Sequence, residues 1–191
     1  MGLLAIDTGW MRFRIISLAV SLMVLTCALC CADIRMPLAD GFDYPVGKPD
    51  GEGYYNAQKF GENNHLGDDF NALTGGDTDL GDPVYAVANG KVRFVDDVKG
   101  GWGNVIRIVH QLPNGQLVES LYGHCDTILV KKDQYVKKGD QIGTIGNAHG
   151  IYTAHLHFEM RTNMKLLIGP GYAKDKSGYL NPTAYIEANR N

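Results

Sequence analysis

Pro83-Val84-Tyr85-Ala86-Val87-Ala88-Asn89-Gly90-Lys91-Val92-Arg93-Phe94-Val95 is the stretch on which the fold class turns. Two runs of β-branched, aromatic and small apolar residues flank Asn89-Gly90, a dipeptide suited to the positive φ angles of a type I′ turn, so a β-hairpin is expected here. Downstream, Asn104–His110 (NVIRIVH) alternates apolar with polar residues, Pro113-Asn114-Gly115 turns the chain, and Leu117–His124 (LVESLYGH) returns as a second hairpin. Val136–Ile145 (VKKGDQIGTI) repeats the theme. Helix signals are confined to the tail at Pro182–Ala188. The expected class is therefore all-β: a compact, mainly antiparallel sheet or sandwich with Gly-rich loops and a short C-terminal helical tail.

Composition bounds the function. With 18 Lys+Arg against 21 Asp+Glu and 45% hydrophobic residues, the 191-residue chain is neither disordered nor collagen-like. Its mildly acidic balance offers no broad attraction for nucleic acid, and no nucleic-acid partner is expected. Three of the four cysteines, Cys27, Cys30 and Cys31, crowd the uncharged run Ile15–Ala32, which follows Arg12 and Arg14 and precedes Asp33 and Arg35. A basic start, an apolar middle and small residues before a polar junction read as an export signal over 1–32, cleaved or retained as an anchor. Met11 is an alternative start to Met1. Thr26 stands where a lipobox usually has Gly, Ala or Ser, which ranks lipidation at Cys27 below cleavage. The expected location is the periplasm or cell envelope, or the medium, with membrane contact only through this segment. Cys125 alone cannot form an internal disulfide. Residues 33–63, rich in Gly, Pro, Asp and Tyr, are expected to form an irregular arm that supplies walls, and 64–191 the functional domain.

Candidate chemistry lies in the histidines. His155 and His157 stand at i and i+2, so in a strand both face one space, a pattern that suits a metal or a ligand beside a proton-transfer group and also arises on a solvated strand. His65 and Asp69 would be about 13 Å apart in a straight strand. Ligands of one metal lie far closer, so the chain must bend between them, and Gly67 is placed to allow it. His124 ends an expected strand in Tyr122-Gly123-His124. Glu159 shares the parity of His155 and His157, which makes it a candidate support for a ligand. Asp68, beside Asp69, reads as facing solvent or orienting a ligand from behind, with ligation itself the lesser alternative. His110 reads as structural, His149 as a solvated loop residue and Cys125 as a small buried hydrophobe.

In order, HLGDDF, GDPVYAVANGKV, GWGNVIRIVH, LYGHCD, VKKGDQIGTIG and HLHFEM, from His65 to Met160, resemble the lysostaphin/LytM-type zinc metallopeptidases, a family of peptidoglycan endopeptidases marked by His-x-x-x-Asp and His-x-His. The resemblance implies one zinc ion held by His65, Asp69 and His157, with His124 and His155 as the catalytic pair, their two tasks undivided. It implies an exported metalloendopeptidase acting on peptide stems or cross-links of peptidoglycan, working as a monomer. Two nitrogens and one carboxylate leave a fourth position open, as hydrolysis requires. Some members of that family have lost their active-site residues and activate another cell-wall hydrolase. That is the alternative reading, weakened here by the presence of all five residues.

Overall fold

The structure is a computed structural model that describes residues 1–2 and 36–190. The expected export signal and its cysteines lie outside the described residues. From Met36 onward the chain forms a β domain whose larger sheet runs β1 (Tyr54–Gln58), β2 (Asp68–Ala72), β9 (Leu156–Arg161), β6 (Leu117–Cys125), β5 (Asn104–Gln111), β4 (Gly90–Asp97) and β7 (Tyr135–Val136) in spatial order. Every pairing is antiparallel, and β10 (Tyr179–Leu180) pairs with Met160–Arg161 of β9. β3 (Pro83–Tyr85) and β8 (Gln141–Thr144) make a separate two-stranded sheet. The one α-helix among the described residues, α1 (Pro182–Ala188), is capped by the Asn181 side chain, which accepts from Ala184 N. The all-β architecture and the helical tail match the sequence reading.

The hairpin expected at 83–95 does not form. Its first run pairs with β8 and its second belongs to the large sheet, and neither Asn89 nor Gly90 has a positive φ. Asn89 is a junction instead: its side chain donates to Leu38 O and accepts from Lys138 N, and its carbonyl lies 2.9 Å from His110 Nδ1. Gly90 answers crowding, since a Cβ there would stand 2.6 Å from Val109 O and 2.7 Å from His110 Nδ1. The Ala86-Val87-Ala88 link between the sheets is fully buried, so apolar burial and not turn chemistry fixes its path. The second hairpin forms as read, with Gly115 at φ 83° in the turn joining β5 to β6. Val136–Ile145 divides at Gly139, φ 79°, into β7 and β8, one in each sheet.

Within 33–63, Tyr54–Gln58 adds edge strand β1 to the sheet, and Ala39, Phe42 and Val46 are buried in the core. Asp68 ties these regions together: its carboxylate accepts from Phe60 N, Thr183 N and Thr183 Oγ1, so it is neither solvated nor free to bind a metal.

Alternation gives the large sheet two unlike faces. Leu156, Phe158 and Met160 of β9, Tyr122 of β6 and Ile106 and Ile108 of β5 face the apolar core with Phe42, Phe70 and Ile142. The opposite parity carries the buried charges: Asp69 stands across from His157, Gly123 from His157, Leu121 from Glu159 and Glu119 from Arg161.

Candidate metal centre

Three donors converge where β2 meets β9. His65 Nε2 lies 3.0 Å from His157 Nδ1 and 3.3 Å from Asp69 Oδ1, and His157 Nδ1 lies 2.9 Å from the same Asp69 oxygen. Ligands about 2 Å from one zinc in a tetrahedron stand ~3.3 Å apart, close to these separations. All three residues are at least nine-tenths buried, and no other group of three metal-ligating side chains occurs among the described residues. Two imidazole nitrogens directed at one another beside a carboxylate form a poor hydrogen-bonding arrangement and a good donor set, so the residues present fit a metal of zinc's type.

Local structure produces the convergence. Asp69 is paired with His157 in the β2–β9 ladder, and His65 precedes β2, where its backbone bridges to Tyr172. Gly67 permits the approach by having no side chain: a Cβ would stand 2.4 Å from Phe158 O and 3.0 Å from His157 Cε1. Its φ is not in the left-handed region.

His124 and His155 complete a ring of imidazoles, with centroids 4.7 Å apart, and His124 lies 5.6 Å from His157. His155 Nδ1 contacts Thr153 O at 2.8 Å, and its Nε2 lies 3.9 Å from Asp69 Oδ1. His124 reaches this face through a bulge. Asn104 pairs with Cys125 and Ile106 with Tyr122, which leaves two residues of β6 opposite one of β5, and His124 takes φ 61°. Simple alternation would put His124 on the core face; the bulge sends Cys125 into the core instead.

The electrostatics favour a cation. Burial raises the pKa of Asp69, but hydrogen bonds from His157 and His65 outweigh it and hold the carboxyl well below its usual range. Burial lowers His157, yet Asp69 and Glu159 on either side carry it up to about 9. His124 is pushed down to about 3, first by burial and then by His157 and His155, so it is neutral near pH 7. The carboxylates around His157 thus stabilise positive charge, which a proton or a metal ion can supply.

A cleft of about 450 Å³ opens over the cluster, walled by Gln58, Trp102, Tyr152 and Pro170-Gly171-Tyr172. The sequence does not single out these aromatic walls: Trp102 lies within GWGN, and no motif marks Tyr152 or Tyr172. Tyr172 donates to Gln58 Oε1 and Trp102 Nε1 to Gly169 O, which fixes both rings. His110 is fully buried between Asn89 O and Ser120 Oγ, His149 is an exposed partner of Asp97, and Cys125 is buried, its thiol raised to about 12 by burial.

The same region of the chain is similar to known proteins. Residues 63–168 match the model of peptidase family M23. "Lipoprotein NlpD" of Yersinia enterocolitica is 42% identical over 81 residues, covering 42% of this chain and 78% of that one. "Murein hydrolase activator NlpD" of Salmonella dublin is 36% identical over 100 residues, covering 49% of this chain and only 25% of the relative. In structure the chain is similar to the antimicrobial peptidase lysostaphin of Staphylococcus simulans, at a TM-score of 0.54 and 25% identity, over 71% of this chain and 50% of that one. Relatives named as lipoproteins bear out the expectation of an exported, envelope-located protein. The matched span contains all five converging residues, and the antiparallel sheet that brings them together is that of the similar solved structure: this chain belongs to peptidase family M23.

Proposed function

We propose that the chain is a zinc metalloendopeptidase that hydrolyses peptide bonds in bacterial cell-wall peptidoglycan, with His65 Nε2, Asp69 Oδ1 and His157 Nδ1 as the metal ligands. The observation that carries this reading is the convergence of those three buried donors beside two further imidazoles on the floor of one cleft. Bound there, zinc would polarise the scissile carbonyl and make water nucleophilic near neutral pH. The remaining work belongs to the chain. With Nδ1 held against Thr153 O, His155 turns Nε2 to the site side, where it is placed to exchange a proton with a reacting group. His124, neutral and partly covered by Trp102 and Tyr152, is placed to hydrogen-bond a developing oxyanion or leaving amine. Trp102, Tyr152 and Tyr172 give an extended peptide apolar walls and exclude water.

A second reading is favoured by the names of the relatives: a domain that binds and activates another murein hydrolase. It draws more support from the comparisons than the catalytic reading does, and fold alone does not decide activity. One experiment separates them. Zinc-loaded protein is incubated with purified peptidoglycan, alone and with a murein amidase, and released muropeptides are read by mass. Peptide-bond cleavage by the chain alone supports the peptidase. Acceleration of the amidase without cleavage by the chain alone refutes the peptidase and establishes the activator.

A further inference from the structure

On the face of the sheet opposite the core, four charged side chains are sealed from water: Arg107, Glu119, Glu159 and Arg161. They are joined end to end. Glu159 Oε1 lies 3.0 Å from His157 Nε2, and Glu159 Oε2 accepts from Arg161 Nε at 2.6 Å. Arg161 Nη1 lies 3.9 Å from Glu119 Oε1, which accepts from Arg107 Nε at 2.8 Å. Well-packed apolar residues of similar volume stabilise a fold at least as well as such a network, so burial of four charges points to a purpose beyond stability.

That purpose is visible in the donors left over. Arg161 Nη1 and Nη2 donate to Leu167 O and Ile168 O at 2.9 and 2.7 Å, and Arg107 Nη2 to Leu166 O at 2.8 Å. The same segment continues into Pro170-Gly171-Tyr172 of the cleft wall, where Gly171 O accepts from Leu66 N, next to His65. We infer that Glu159 and Arg161 are positioning residues: Glu159 holds His157 with Nε2–H directed away from the cleft and Nδ1 directed at the ligand cluster, and Arg161 fastens that carboxylate to the main chain that leads into the cleft wall. Ligand and wall then share one support. The inference rests on the zinc reading above. Neither residue touches substrate.

The test is zinc affinity, measured by competition with a chromogenic chelator, for the wild type, Glu159→Gln, Arg161→Lys and the core control Val136→Ala. Lysine keeps the charge of Arg161 but lacks the planar fork that reaches Glu159 and two carbonyls together. Loss of a hydrogen-bonded support behind a ligand weakens metal binding by about 10–100-fold, and that loss is expected for both network variants. Val136→Ala is expected to lower Tm with zinc affinity intact. Unchanged affinity in both network variants, or an equal loss in Val136→Ala, overturns the inference. A wild type that binds no zinc overturns the metal reading instead. If near-UV circular dichroism shows that the network variants do not fold, long-range ¹H–¹⁵N spectra of the zinc-loaded wild type decide: Nε2 protonated and Nδ1 ligated on His157 supports the inference, and the reverse assignment overturns it.

Discussion

His124 carries the clearest residue-scale lesson, because a β-bulge and a left-handed backbone place it among the other imidazoles. Backbone strain of this kind costs about 1–3 kcal/mol and persists where surrounding structure enforces it. On the catalytic reading, His124→Ala leaves zinc bound and abolishes cleavage, while His65→Ala and Asp69→Ala release zinc. Metal content by atomic absorption, alongside a muropeptide assay, checks both halves. Unaltered metal in the His65 and Asp69 variants would remove them as ligands. His110 predicts a pH effect on stability. Burial lowers its folded pKa to about 4, below the ordinary ~6.5 that it has when unfolded. Below pH 6.5 the unfolded chain takes up a proton that the native chain refuses, so this term costs stability progressively from about pH 6.5 down to about 4, on the order of 3 kcal/mol in full, and is absent above pH 6.5. His110→Gln should flatten the fall in urea midpoint between pH 7 and 5.

At the scale of the element, two glycines act through the space they vacate and not through the backbone freedom that the sequence suggests. The His65–Asp69 spacing requires a bend, for which Gly67 offers conformational freedom; its φ lies outside the left-handed region, and what it supplies is room for β9. Replacing Gly67 by Ala sets a Cβ against the Phe158 carbonyl and the His157 ring. Overpacking of that kind costs about 1–3 kcal/mol, so the urea midpoint should fall, and zinc affinity should fall with it. Asn89-Gly90 misled for the same reason: glycine there makes room for β5 instead of turning the chain. A dipeptide signals turns through local φ preferences, whereas the partner of β3 is β8, more than fifty residues away, and no local pattern encodes that pairing. Parity in HLHFEM correctly grouped His157 with Glu159, because β9 is regular there. The same parity places Arg161 on that face, but its role, like those of Glu119 and Arg107, depends on contacts with neighbouring strands and with the carbonyls of 166–168. The bulge at His124 was invisible for a related reason, since only register against β5 reveals it.

For the whole molecule, binding of metal to the native state alone stabilises it by mass action, by about 2.7 kcal/mol at a free concentration 100 times Kd. Zinc should therefore raise Tm in a concentration-dependent way, and dialysis against a chelator should lower it without changing the far-ultraviolet spectrum at 25 °C; a Tm insensitive to zinc would refute a native-state site. The position of β9 gives this coupling its form. It lies between β2 and β6 with all six of its residues buried, so its amides are protected on both edges. Elements of that kind open only in global unfolding. His157 on β9 therefore leaves the cluster only when the molecule unfolds as a whole, and not through local fraying. Protease resistance and slow amide exchange in the sheet centre should consequently rise and fall as one property, and the floor of the cleft should keep its shape whether or not a metal sits on it.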